Sequence, residues 1–223
     1  MIEIIPAIIP ISYGDLEEKL SIVRGLVKTV QIDVSDGRFT PNLTFPFHPE
    51  DRAIFEKIKN EEEGLPFWKD FDFEVHLMTE TPEKYALEWQ SAGAFRLVVH
   101  AETLKDFESL RNEIAEMTEI VLALNLDTDM EKVRPFLSQI NSVQLMSIAK
   151  IGYQGASFEE KILDRIKALL EMKPELIVSI DGGVNLGNAH SLISAGAKRL
   201  IVGSAIFDAE NPAGVIAEFQ SIV

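Results

Sequence analysis

The sequence predicts a single (β/α)8 barrel spanning residues 1–223. Three observations carry that expectation: short β-like runs alternate with amphipathic helical runs from end to end, the alternation repeats eight times, and polar residues gather where the strands stop. Such alternation implies a parallel sheet, and eight units close naturally into a barrel. A doubly wound open sheet is the alternative, but no glycine-rich dinucleotide fingerprint follows the first strand. No linker, low-complexity tract or shift in composition divides the chain.

Residues 2–9 read as the first strand. Ser12-Tyr13-Gly14-Asp15 has the form of a capping box, and Leu16, Leu20, Val23 and Val27 follow at helical spacing. The second strand, 29–34, places Gln31 and Asp33 on one face and Val30, Ile32 and Val34 on the other. Two polar side chains on one face of an apolar strand are costly to bury without a task. After a loop rich in Asp, Gly, Pro and Asn, 48–59 reads as a helix, and the acidic run Glu61-Glu62-Glu63 before Gly64 ends it in solvent. Residues 71–77 form the third strand, and Pro82 opens a helix where its missing N–H does no harm. Further strands are expected at 96–100, 120–124, 142–147, 176–180 and 199–202. Helices are expected at 105–117, 130–137, 159–171 and 188–195, with a last one at 213–219.

Composition narrows the function. With 36 acidic against 21 basic residues the chain carries a net charge of −15. That field repels nucleic-acid backbones and acidic lipids, so neither nucleic acid nor membrane is an expected partner. The absence of cysteine excludes disulfides and thiol catalysis and suits the cytosol. No run of about 18 apolar residues occurs and the chain opens as a strand, so a soluble cytoplasmic protein is expected.

In barrels of this kind chemistry gathers at the C-terminal ends of the strands. The polar residues expected there are Gln31 and Asp33, Glu74 and His76, His100 and Glu102, Asn125 and Asp127, Ser147, and Asp181. Two glycine signals suggest a phosphate: Gly182-Gly183 closes strand seven, and Gly203-Ser204 closes strand eight before a short helical turn. Bare glycine amides approach phosphate oxygens closely, although glycines also simply make tight turns. Gly152-Tyr153-Gln154-Gly155 after strand six can close over the same anion as a lid. Asp33 and Asp181, from separate parts of the barrel wall, can act as base and acid on two faces of a ligand. With His76 they are also three plausible metal ligands, and Gln31 can add an amide oxygen. A single strand-end aspartate is more often a loop cap; four such groups converging on one mouth are not. Met78 can form an apolar ceiling over a ligand, His100 with Glu102 reads as hydrogen-bonded mouth lining, and His48 and His190 read as surface residues.

At these residues the chain resembles the ribulose-phosphate 3-epimerase family. The run from Asp33 to Thr44 (DVSDGRFTPNLT) is similar to the family's DVMDGxFVPNLT. Glu74–Met78 (EVHLM) resembles DVHLM, Val99–Glu102 (VHAE) resembles VHxE, and Leu124-Asn125 corresponds to LNP. Gly152–Phe158 (GYQGASF), Asp181–Gly183 (DGG) and Gly203–Phe207 (GSAIF) resemble GFGGQxF, DGGI and GSAIF, in the same order along the chain. The resemblance implies metal-assisted proton transfer at C3 of a ketopentose 5-phosphate, with Asp33 and Asp181 as acid/base pair and metal ligands and His76 as a third ligand. It implies a divalent ion (Zn, Mn or Fe), a sugar phosphate held by Gly152, Gly155, Gly182, Gly183, Gly203 and Ser204, and a homo-oligomer.

The departures cluster at the mouth. The family's first metal histidine is Gln31 here, and an amide oxygen is a poorer ligand than imidazole for zinc-like ions. Serines of the family's first strand become Ala7 and Pro10. Ser35 and Ser147 stand opposite family methionines, which makes the expected lining more polar. Lys150 replaces part of the strand-six loop and brings a cation toward the phosphate. The sequence therefore supports an epimerase-like isomerase, with a non-catalytic sugar-phosphate-binding paralogue as the alternative. A decarboxylase of the same barrel group ranks below both, because Ser35 stands where the D-x-K-x-x-D strand requires lysine.

Overall fold

Eight parallel strands close on themselves in sequence order, β1 through β8, in a computed structural model that describes residues 2–153, 155 and 157–222. The strands are β1 (Glu3–Ile8), β2 (Thr29–Ser35), β3 (Asp72–Met78), β4 (Ala94–His100), β5 (Glu119–Leu124), β6 (Ser142–Met146), β7 (Ile177–Asp181) and β8 (Arg199–Val202). Their helices are α1 (Tyr13–Val23), α2 (Arg52–Lys59), α3 (Pro82–Ser91), α4 (Phe107–Glu113), α5 (Ile162–Met172), α6 (Leu186–Ala195), a short α7 (Ser204–Phe207) and α8 (Pro212–Ser221).

The helix expected over 130–137 is replaced by two 3-10 turns, Met130–Lys132 and Arg134–Phe136. Pro135 sits inside that stretch and has no N–H for a continuing helix, so the backbone closes i to i+3 bonds instead, Val133 to Met130 and Phe136 to Val133. The capping box at α1 forms only in part. Ser12 Oγ accepts from the Asp15 amide at 3.2 Å, but the Asp15 carboxylate reaches back to the Ile11 amide rather than to Ser12. Leu16, Leu20 and Val23 bury one face of α1; Val27, expected to continue it, lies beyond the turn at Gly25, whose φ of 78° ends the helix.

Strand alternation divides the core in two. Outward side chains such as Ile32, Val34, Val75 and Leu97 pack against the helix layer in one large apolar cluster. Phe45, at the end of the β2 loop, anchors there, with ring centroids 5.7 Å from Phe55 and 6.1 Å from Trp89. Burying a ring of that size stabilises the fold by about 2–3 kcal/mol. Inward apolar residues form small separate clusters, Ile5 with Ala7 and Ile201, and Val98 with Val121 and Ala123.

The inward polar residues sort to the two ends. At the N-terminal end, Arg96 donates to Glu74 and to Glu119, each at 2.7 Å, while Arg199 lies 3.5 Å from both Glu119 and Glu3. Glu3, Glu119, Ser142 and Arg199 each open their strand, so this ionic layer is the barrel floor. Glu74, expected at the mouth beside His76, belongs to the floor. Two residues is one full alternation but also about 7 Å along a strand, enough to change ends.

Candidate active site

Register places the site. Asp33 on β2 pairs with His76 on β3, and Asp181, the last residue of β7, pairs with Met146 on β6. All point into the upper barrel. His76 Nδ1 lies 3.0 Å from Asp33 Oδ1 and 3.4 Å from Asp181 Oδ2. Gln31 Nε2 donates to Asp33 Oδ1 at 2.8 Å and to Asp181 Oδ2 at 3.0 Å. Each of these residues is buried. Behind His76, its Nε2 meets His100 Nε2 at 2.9 Å, and His100 Nδ1 meets Glu102 Oε2 at 3.1 Å.

Two carboxylates this close and this buried shape the local electrostatics. Burial pushes the Asp33 carboxyl upward; the hydrogen bond from His76 opposes the rise and the Asp181 charge adds to it. For His76 burial favours the neutral ring, but hydrogen bonds and charges from Asp181 and Asp33 outweigh it and raise the imidazole to about 10. In the metal-free protein His76 is therefore charged and compensates the aspartates.

The same atoms suit a divalent ion. One ligand atom each from Asp33, His76 and Asp181 lies within 4.8 Å of the others. Carboxylate and imidazole donors are those used by zinc, manganese and iron sites. Gln31 Oε1 is buried without a partner among the described residues, as is Oε1 of Gln144 beside Asp181. Turning the amide over would bring that oxygen to the carboxylates, which a cation between them, or a proton on one of them, would make favourable. The residues fit such an ion.

A cavity opens above this centre, and every residue expected to hold substrate lines it: Met78, Gly152, Gly155, Gly182, Gly183, Gly203 and Ser204, with Asp33, His76 and Asp181 at its base. Gly182 has a φ of 107°, and a Cβ there would stand 2.7 Å from Ile148 Cγ1, so a larger residue is strained and would have to push Ile148 aside. Gly203-Ser204 opens α7, the short turn expected after β8. Gln154, inside the expected lid, and Ala156 lie outside the described residues.

Several expectations are corrected. Ser147 does not make the lining polar: its hydroxyl donates to the Asp181 and Gly182 carbonyls, at 3.1 and 2.5 Å, and Met146 lines the cavity in its place. Met146 shares the inward face with Gln144, whereas Ser147 lies past the strand end. Ser35 bonds Thr40 and the Asn42 carbonyl, holding its own loop. Lys150 lines an adjoining pocket with Phe39 and Asn125 rather than the Asp33 cavity. Asp127 is exposed and paired to Lys161 at 2.6 Å, outside the mouth. His190 is exposed as expected, and His48 is half-buried against the Leu43 carbonyl.

Gln144 escaped notice in the sequence. It is fully buried and donates to Asp181 Oδ2 at 2.9 Å, the same oxygen Gln31 reaches. Its signal was present: like Gln31, it is a lone amide at an inward position of an apolar strand.

Fold and site together define a (β/α)8 barrel with a buried carboxylate–imidazole centre under a glycine-rimmed cavity. The profile of the Ribulose-phosphate 3 epimerase family matches residues 3–207, and the chain belongs to that family of isomerases. It is 30% identical to the ribulose-phosphate 3-epimerase of Bacillus subtilis over 99% of both chains. It is 27% identical to that of Schizosaccharomyces pombe over 99% of this chain and 93% of the other. Among solved structures, 3-hexulose-6-phosphate synthase from Salmonella typhimurium superposes with a TM-score of 0.68 at 16% identity, covering 99% of this chain and 97% of that one. KGPDC from Streptococcus mutans does so at 0.69 and 16%, covering 100% and 97%. At that identity these two share the fold. No helix among the described residues is long and apolar enough to cross a membrane.

Proposed function

We propose that the protein inverts C3 of a ketose phosphate, D-ribulose 5-phosphate to D-xylulose 5-phosphate or a close relative, by proton transfer between two aspartates. The observation that carries this reading is the convergence of Asp33 from β2 and Asp181 from β7 on the base of one cavity. One carboxylate removes the C3 proton from one face, and the other, already protonated, delivers a proton to the opposite face. Asp33, His76 and Asp181 would hold a divalent ion, joined by Gln31 once its amide turns over. Such an ion offsets the negative charge that develops on the substrate oxygens, by several kcal/mol. Met78 and Met146 cover the reacting carbons with apolar surface and exclude water. The backbone amides around Gly182, Gly183, Gly203 and Ser204 hold the phosphate and overcome the negative field of the chain.

One observation favours a second reading, sugar-phosphate binding without turnover: the Gln31 amide, a poorer ligand than imidazole, donates to one oxygen of each carboxylate. A coupled assay for D-xylulose 5-phosphate separates the two. Product is expected with Zn2+, Mn2+ or Fe2+ and is lost in Asp33→Asn and Asp181→Asn. Binding of the sugar phosphate with no product under any of the three ions would establish the second reading instead.

A further inference from the structure

His76 is held from behind as firmly as from the front. Its Nδ1 faces the two aspartates, and its Nε2 faces His100 Nε2 at 2.9 Å. Two ring nitrogens at that separation form a hydrogen bond only if one carries a proton and the other a lone pair. Glu102 decides which. Its Oε1 accepts from the Asn125 amide at 2.7 Å and from the Thr128 hydroxyl, which leaves Oε2, 3.1 Å from His100 Nδ1. A carboxylate only accepts, so His100 carries its proton on Nδ1 and presents a lone pair at Nε2. The shared proton then belongs to His76 Nε2, whether or not His76 carries a second one. His76 Nδ1 is thereby the nitrogen that can give up its proton and offer a lone pair toward Asp33 and Asp181. His100 cannot turn away from this arrangement. It is fully buried, lies nearly coplanar with His76, the ring planes 24° apart and the centroids 5.0 Å apart, and meets the Phe39 ring at 4.9 Å.

We propose that Glu102 and His100 are positioning residues that fix the tautomer of His76, so that Nδ1 is the atom available to a divalent cation. The proposal rests on the reading of Asp33, His76 and Asp181 as a cation site. Glu102 touches neither ion nor substrate; it acts through His100, and His100 through His76. Outer partners of metal-binding histidines fix ring orientation and raise ligand basicity, and their loss lowers affinity by about 10–100-fold.

Glu102→Gln tests this with little change in shape. The Asn125 amide and Thr128 hydroxyl would keep the glutamine oxygen, and its NH2 would face His100 Nδ1. His100 would then carry its proton on Nε2 and donate toward His76, which pushes the His76 proton to Nδ1, the side where the cation binds. Two readouts are needed. Long-range 1H–15N spectra of metal-stripped protein report the His100 tautomer, expected at Nδ1–H in the wild type and Nε2–H in the variant. Titration of the same samples with Mn2+ and Zn2+ should show affinity lowered about 10-fold or more in the variant. A wild-type His100 protonated on Nε2 would overturn the proposal by itself, even if the variant failed to fold. A variant that binds both ions within about threefold of wild type would also overturn it. Wild-type protein that binds neither ion would instead defeat the cation-site reading beneath it.

Discussion

Gln31 donates its amide nitrogen to Asp181 at 3.0 Å, a contact across the barrel between residues 150 apart in sequence. The same nitrogen reaches Asp33 at 2.8 Å, so a neutral side chain stands where it touches both proposed proton carriers. If that side chain borders the ion, its chemistry sets ion preference, because imidazole suits zinc better than an amide oxygen does. Gln31→His is expected to raise the preference for Zn2+ over Mn2+ by about 10-fold or more in competition titrations. An unchanged ratio would place Gln31 outside the ion's reach.

The barrel floor should be a stability element with no part in turnover. Arg96 neutralises buried Glu74 and half-buried Glu119. Arg96→Met leaves Glu74 buried and unpaired, and should cost about 3–5 kcal/mol in denaturant unfolding. The Arg96→Met, Glu74→Leu double variant should recover much of that loss. Activity per folded molecule should be unchanged in both.

Stability of the metal-free protein should depend on pH from two sides. Burial opposes ionisation of Glu102, but hydrogen bonds and charge from His100, with Thr128 and the Asn125 amide, more than offset it and lower the group from 4.5 to about 2. A depressed carboxyl contributes its stability above the unfolded value and loses it as pH falls, here between about 4.5 and about 2, on the order of 3 kcal/mol. His76 is raised from 6.5 to about 10, so its contribution is complete below 6.5 and fades as pH rises toward 10. Urea midpoints should therefore fall on both limbs, and Glu102→Gln should flatten the acid one.

Gly182→Ala should weaken substrate holding more than chemistry. The added Cβ meets Ile148, and a φ of 107° strains any L side chain. The expected result is a KM for the sugar phosphate raised about 10-fold or more, a loss of about 1.4 kcal/mol in binding, with a smaller change in kcat.

Much of this was legible in the sequence because it rests on short-range rules. Strand alternation placed Gln31 and Asp33 inward, and the barrel's closure brought Asp181 to them. What escaped depended on depth and register. Glu74 and His76 share a face, yet one lies in the floor and the other at the mouth. Ser147 and Met146 exchange roles because the strand ends one residue sooner than expected. Gln144 was passed over because a single glutamine in an apolar strand names no partner until the fold supplies Asp181.

The central claim is that Asp33 and Asp181 move the proton at C3. The most direct measurement is solvent deuterium incorporation into C3 of D-ribulose 5-phosphate, followed by NMR with Zn2+, Mn2+ or Fe2+ supplied. Incorporation is expected with at least one ion in the wild type, reduced by about 100-fold or more in both Asp33→Asn and Asp181→Asn. No incorporation with any of the ions, in protein that binds the sugar phosphate, would contradict the claim.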